Sequence, residues 1–332
     1  MKQTLIFLLT GWFLFALTSC DSKNETVKFL IFSDIHNDLI PDGEKRLQKI
    51  LKTAEAEKVD FVIELGDFCH PGANNDSFMK IWNDFPKDKY HVLGNHDMDR
   101  CSKEEYIQSK NMPGRYYSFD RGEFHFIVLD ANNRFENGEY IPYHKGGYSR
   151  PTSDYIDDEQ IEWLRKDLAV TEKQCIIFSH QSLEIVVKNR DVIQRIFEQE
   201  NKQAGFKKIV AAFSGHDHTN YSKEINGISY VQINSASYFW VGEEYESDKR
   251  YTKEINEKYP YLKYTIPYEE TLYGIITLDQ NALRLKGAET TFMPPTPLEL
   301  GMPEALYSYP VVPYIKNMSI FCMQNEGKHS WH

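Results

Sequence analysis

VKFLIFSDIH, residues 27–36, reads as a strand that ends in chemistry. Apart from Lys28, residues 27–32 are apolar, the pattern of a strand buried on both faces, and Asp34-Ile35-His36 follow almost at once. The arrangement returns four times. DFVIEL (60–65) ends in Gly66-Asp67, KYHVL (89–93) in Gly94-Asn95-His96-Asp97, CIIFS (175–179) in His180, and KKIVAAFS (207–214) in Gly215-His216-Asp217-His218. In open α/β sheets, ligands bind beyond the carboxyl ends of the strands. Five such ends on one rim would gather Asp, Asn and His side chains. Unpaired, those groups are costly to desolvate, whereas a divalent cation satisfies them.

Helical patterns lie between the apolar runs. GEKRLQKILKTAEAEK (43–58) places Leu47, Ile50, Leu51 and Ala54 at helical spacing. Further helices are expected near 77–84, over 158–169 with Asp157 or Asp158 as cap, and around 190–200. YYSFD (116–120) and EFHFIVLD (123–130) form an expected hairpin, and short strands are expected at 228–233 and within 271–287. Residues 131–157, rich in Asn, Gly and Tyr, show no periodicity and read as a long loop. The charged, Tyr-rich insertion 241–269 reads as a solvated face. Pro294, Pro295, Pro297, Pro303, Pro310 and Pro313 exclude a long helix from the tail. The outcome is an α/β domain over 27–289 with one core and insertions at 131–157 and 241–269. A Pro-rich extension, 290–332, is expected to pack on it.

Composition narrows the class. The 332 residues are 41% hydrophobic and 14% aromatic, enough for a sizeable core, which excludes disordered and low-complexity chains. A formal net charge of −11 argues against a nucleic-acid polymer as partner, because such binders cluster Lys and Arg to replace phosphate counterions. Lys2 and the apolar run 5–17 have the form of a signal peptide over 1–19, too short for a bilayer span. The run closes on Leu17-Thr18-Ser19-Cys20, which resembles a bacterial lipobox. Cys20 would then carry acyl chains, residues 20–26 would form a tether, and the folded part would be an exported cell-envelope lipoprotein held at a membrane. Of the other cysteines, Cys69, Cys101, Cys175 and Cys322, nothing in the sequence selects a pairing.

Singly, Asp-x-His and Gly-Asp carry little weight, since both occur in ordinary turns. GNHD and GHDH carry more: a given tetrapeptide turns up in roughly one chain in five hundred of this length. The ordered set resembles the calcineurin-like metallophosphoesterase family, from residue 27 to about 235. That resemblance implies a four-layer α/β/β/α sandwich and two divalent metal ions, Mn, Fe or Zn, at the strand ends. It implies that Asp34, His36 and His218 bind one ion, that Asn95, His180 and His216 bind the other, and that Asp67 bridges them. Asn95 and His96 would face the substrate phosphate, with Asp97 orienting and polarising the His96 ring.

The chemistry suits such a set. Two divalent ions about 3.5–4 Å apart can hold a hydroxide and clamp phosphoryl oxygens during in-line attack. His96 is the candidate for the proton or charge at the leaving oxygen. The expected substrate is a small phosphate ester: a phosphomonoester, a phosphodiester or a nucleotide pyrophosphate. A non-catalytic binding scaffold on the same fold is the competing expectation. Among the remaining histidines, His91 and His125 are expected to be structural, and His329 and His332 to lie in a solvated tail. His70, Tyr238 and Arg150 are added as candidates for substrate contact. Tyr140, Tyr143 and Tyr148 with His144 and Lys145, and Tyr238, Phe239 and Trp240, could wall the site; a lid packing on the sandwich is the simpler expectation for most.

Overall fold

A computed structural model describes residues 26–148, 150–306 and 308–322. The leader, Cys20 and the terminal histidines lie outside these residues. Within them, no helix is long and apolar enough to cross a membrane. Cys69, Cys101, Cys175 and Cys322 are all free and buried.

Two six-stranded sheets form the body. In the first, Val27–Phe32 lies between Phe61–Glu64, its parallel neighbour, and Gly274–Leu278, its antiparallel one. Asp88–His91 extends this sheet beyond Phe61–Glu64, while Ala282–Gly287 and Met318–Phe321 extend the other side. In the second, Phe124–Leu129, Gln174–Ser179, Ile209–Ser214 and Ile228–Gln232 run parallel to one another, flanked by antiparallel Tyr117–Arg121 and Tyr221–Ile225.

The period-two alternation of the strands accounts for the layers. Phe29, Ile31, Phe61 and Ile63 from one sheet meet Phe126, Val128, Ile176 and Phe178 from the other in a common core. Phe126 packs edge-on against Phe29 and Phe61 at 5.7 and 5.3 Å. The opposite faces hold helices. Leu30, Phe32 and Val62 pack on Leu47, Ile50, Phe78 and Trp82 of the helices Gly43–Ala56 and Asp76–Asp84. Ile127, Ile177 and Ile209 pack on Leu164, Leu168, Ile193 and Phe197 of Asp158–Val170 and Arg190–Ala204. The order is helix, sheet, sheet, helix, the four-layer sandwich expected. Each buried aliphatic or aromatic side chain contributes about 1.5–3 kcal/mol relative to exposure, which is why strands apolar on both faces sit at the centre.

Several elements differ from expectation. The loop over 131–157 contains a hairpin, Asn133–Glu136 with Glu139–Pro142, turning at Asn137-Gly138. Both turn residues have positive φ, 54° and 86°, the conformation that a two-residue Asn-Gly hairpin turn uses. Asn226-Gly227 joins Tyr221–Ile225 to Ile228–Gln232 in the same way. A short helix, Lys103–Ser109, starts on a capping box in which Ser102 and Glu105 bond each other's backbone N–H. Lys103 is buried and its Nζ donates to Asp130 Oδ2 at 2.5 Å and to the Asn132 carbonyl at 2.9 Å. Its hydrophilic sequence, KEEYIQS, hides this anchoring role. The chain past 290 supplies Met318–Phe321 as an edge strand. Beside that strand, Lys207 Nζ donates to the Phe321 carbonyl and Gln174 Nε2 to the Cys322 carbonyl, so the tail is tied to both sheets.

Candidate metal centre

Tight turns follow the strands, and they set the ligands in place. Asp34, His36, Asp67, His216 and His218 all have φ between 48° and 76°, a left-handed conformation uncommon for residues with a side chain. Cross-strand bonds hold it: Asp34 N–H donates to the Gly66 carbonyl, His36 N–H to the Asp67 carbonyl, and Gly215 N–H to the His180 carbonyl. Two glycines are demanded by close approach. A Cβ on Gly94 would lie 2.2 Å from Asp67 N, and one on Gly215 would lie 1.8 Å from Ser33 Oγ and 2.5 Å from Asp34 Oδ2.

All seven expected ligands meet at one place. His36 Nε2 and His218 Nε2 are 3.2 Å apart, and Asp34 Oδ1 is 3.3 Å from His218 Nε2. Asn95 Oδ1 stands 3.0 Å from His180 Nε2 and 2.9 Å from His216 Nδ1, and those two ring nitrogens are 3.3 Å apart. Asp67 Oδ2 lies between the groups, 3.6 Å from His36 Nε2 and 3.2 Å from His180 Nε2. Two overlapping sets have ligand geometry, Asp34 with His36 and His218, and Asp34 with Asp67 and His180. Asp34 belongs to both. The ring orientations are fixed from behind: His180 Nδ1 donates to the Leu65 carbonyl and His218 Nδ1 to the Tyr238 carbonyl, leaving each Nε2 facing the centre.

These donors fit a pair of divalent cations. Asp34 Oδ1 is buried with no hydrogen-bond partner, and mixed imidazole, carboxylate and amide ligation without thiolate suits Mn, Fe or Zn. Burial pushes the His36 imidazole down to about 3, which keeps it neutral and able to donate a lone pair. Burial also opposes ionisation of Asp34 and Asp67, yet both carboxyls stay well below their ordinary range because His218 and His180 stand beside them. For His180 the balance reverses: burial disfavours its cation, but Asp67 raises it to about 10. The field of these carboxylates thus favours positive charge at that spot.

The His96 ring stands 5.4 Å from the His36 ring. Its backbone N–H donates to Asp67 Oδ1 at 2.8 Å. The expectation that Asp97 orients this ring is corrected. Asp97 is turned inward, where its carboxylate accepts backbone N–H groups from Asp67, Phe68 and Gly94 at 3.2, 2.9 and 2.8 Å. Asp99, one helical turn beyond His96, takes the orienting place, with Oδ2 3.0 Å from His96 Nδ1. Tyr148 joins them, its hydroxyl 2.7 Å from His96 Nδ1 and donating to Asp99 Oδ1. Burial opposes the His96 cation, but Asp67 and Asp99 raise its pKa above the ordinary histidine value. The i, i+3 spacing of His96 and Asp99 was a signal available in the sequence. Tyr148 was visible only as one aromatic among several.

A cavity of about 630 Å³ opens over this centre. His36, Asp67, Asn95, His96, His216 and His218 form its floor, and Tyr148, Tyr238, Trp240, Tyr261 and Tyr309 stand in its walls. Tyr238 is buried and stacks on His36 at 5.4 Å, which places it against the ligands. His70 lies just beneath, its Nε2 3.1 Å from the His96 carbonyl, between Asp38 and Asp99. Arg150, expected at the substrate, is elsewhere: its side chain is 56% exposed, 3.8 Å from Glu136, and does not line the cavity. The insertion 241–269 is not merely a solvated face, because Leu262, Tyr251, Ile255 and Tyr259 pack on Tyr238 and Ile40. His91 and His125 bond acidic neighbours away from the centre, His91 to Glu64 and His125 to Asp120 and Asp167.

A family model described as calcineurin-like phosphoesterase matches residues 27–220. No curated protein matches. Among solved structures, a dimetal phosphatase from Danio rerio is similar at 15% identity and a TM-score of 0.58, covering 80% of this chain and 98% of that one. GAP50 of Plasmodium, described as the anchor in the inner membrane complex, is similar at 13% identity and a TM-score of 0.53, covering 91% and 90%. At such identities the likeness concerns the fold.

Proposed function

Since the chain belongs to the calcineurin-like phosphoesterase family, we propose that it is a dimetal-dependent hydrolase of small phosphate esters. The observation that carries this is the pair of ligand sets sharing Asp34, with the Asp67 carboxylate standing between His36 and His180. Asp34, His36 and His218 would hold one cation, Asn95, His180 and His216 the other, and Asp67 both. When bound, the two ions would polarise the phosphoryl oxygens and lower the pKa of water.

The protein's own groups do the rest. The amide of Asn95 and the ring of His96 face the position of the phosphate. His96 Nδ1 gives its hydrogen to Asp99 and Tyr148, which leaves Nε2–H as the group that protonates the leaving oxygen. Asp99 and Tyr148 are positioning residues, since they act through the His96 ring. Asp97 fixes the loop by collecting three backbone N–H groups, which sets the angle at which Asn95 and His96 leave the strand.

The test is direct. Purified protein is analysed for bound metal, then assayed with p-nitrophenyl phosphate and bis-p-nitrophenyl phosphate after loading with Mn, Fe or Zn. Two ions per chain and turnover of at least one ester are expected. A protein that binds no metal and turns over neither compound would be the scaffold rather than the enzyme. Export and acylation rest on residues 5–20 alone; Cys20→Ser is expected to remove acyl incorporation and release the protein from the membrane fraction.

A further inference from the structure

The walls of the cavity differ in character from its floor. Among the described residues, no lysine or arginine lines it. Besides Asp99, which pairs with His96, its carboxyl side chains outside the expected ligand set are Asp154 and Asp217. Neither forms an ion pair with a described cation: Asp154 accepts from the Tyr143 hydroxyl at 2.9 Å, and Asp217 Oδ2 is buried without a partner. Against these stand rings from three separate segments, Tyr148, Trp240, Tyr261 and Tyr309. Trp240 and Tyr261 are 39% and 55% exposed, although large aromatic side chains usually find cover. They flank Tyr264, whose ring is 5.9 Å from that of Trp240 and 6.4 Å from that of Tyr261.

A substrate with a second phosphate or a carboxylate would bring that charge against Asp154 and Asp217 with no lysine or arginine to receive it, and a like charge there is repelled. A flat ring would cover Trp240 and Tyr261 and take their apolar faces out of water. The cavity volume accommodates such a group beside a phosphoryl group on the floor.

We propose that this site selects esters carrying a single phosphoryl group on a ring-bearing organic half without negative charge. Trp240 and Tyr261 are the residues that grip the ring, and Asp154 is the one that turns anionic groups away. The proposal rests on the hydrolase reading only for the position of the phosphoryl group.

Calorimetric titration of the Mn-loaded protein with inert phosphonates tests it without turnover. Phenylphosphonate is expected to bind at least tenfold more tightly than methylphosphonate, and 4-carboxyphenylphosphonate at least fivefold more weakly than phenylphosphonate. The double variant Trp240→Ala/Tyr261→Ala should erase the phenyl advantage while leaving methylphosphonate affinity within about twofold, which also reports an intact floor. Asp154→Asn should narrow the gap between the neutral and carboxylated rings. Equal binding of phenyl- and methylphosphonate by the parent would overturn the proposal, and so would tighter binding of the carboxylated ring. A ring preference in a protein that hydrolyses no ester would leave this selectivity standing and remove the hydrolase reading instead.

Discussion

The floor and the walls of the cavity border the same space but are built in opposite ways. Every floor residue leaves the carboxyl end of a strand within a few positions; His36, Asp67, His216 and His218 sit in left-handed turns, and the Asn95–His96 loop is held by the Asp67 and Asp97 carboxyl groups. The wall rings come from Tyr148, Trp240, Tyr261 and Tyr309, on segments that meet only when the sandwich is complete. The floor is over-determined by the sheet; the walls are additions to it. Substitutions on the floor should therefore be severe and indifferent to the organic half of the substrate. Substitutions on the walls should be mild and sensitive to it.

The largest effect is expected from Asp67→Ala, which removes the carboxylate between His36 and His180. Metal content should fall to one ion or fewer per chain and turnover should vanish, read by elemental analysis and initial rates. His96→Ala should keep both ions and lose about 10²–10⁴ in kcat. Gly215→Ala disturbs the same centre more gently than either Asp67→Ala or His96→Ala, because the new Cβ would press on Asp34 Oδ2 without removing it. Metal affinity should fall about 10–100-fold, the usual cost of disturbing a ligand from behind. Asp99→Asn should then lose roughly tenfold and move the pH profile, because Asp99 raises the His96 pKa; an unchanged profile would break its positioning role.

The smallest effect lies far from both regions, at His125. Burial opposes its cation, but Asp167 and Asp120 raise its folded pKa above the ordinary value of about 6.5. A raised folded pKa stabilises the protonated form. That contribution is present in full below about pH 6.5 and is lost as pH rises through the folded value. His125→Gln should therefore lower Tm most at pH 5–6 and least near pH 9, the stability lost staying below about 1 kcal/mol throughout.

The same contrast explains what could be seen before the fold was known. The floor was legible because a metal site confines its donors to a few backbone turns, so the ligands appear as short motifs beside apolar runs. The four layers were legible for a related reason: strands buried on both faces show no polar side. The inward turn of Asp97 is not legible, because sequence adjacency to His96 says nothing about direction, and the 3₁₀ turn His96–Met98 points one side chain out and the next one in. The hairpin within 131–157 carries its own mark in Asn137-Gly138, but the strands beside it are polar and short, so no apolar alternation accompanies that mark. Tyr261 and Tyr309 left no local trace at all. An aromatic wall is a property of where segments come to rest, and composition alone cannot distinguish it from a ring buried in a lid.

The strand that carries Asp34 and His36 is clamped on one side by Gly274–Leu278, and that part of the chain is synthesised long after the first. Until it arrives, Val27–Phe32 has an unsatisfied edge and half its sheet is missing. Contacts that distant in sequence close slowly, since the loop between their ends costs entropy before any pairing returns it. The edge beside Asp34 and His36 is thus completed by one of the last parts of the chain to be made, and shortening the chain before residue 274 would strip that support from the strand.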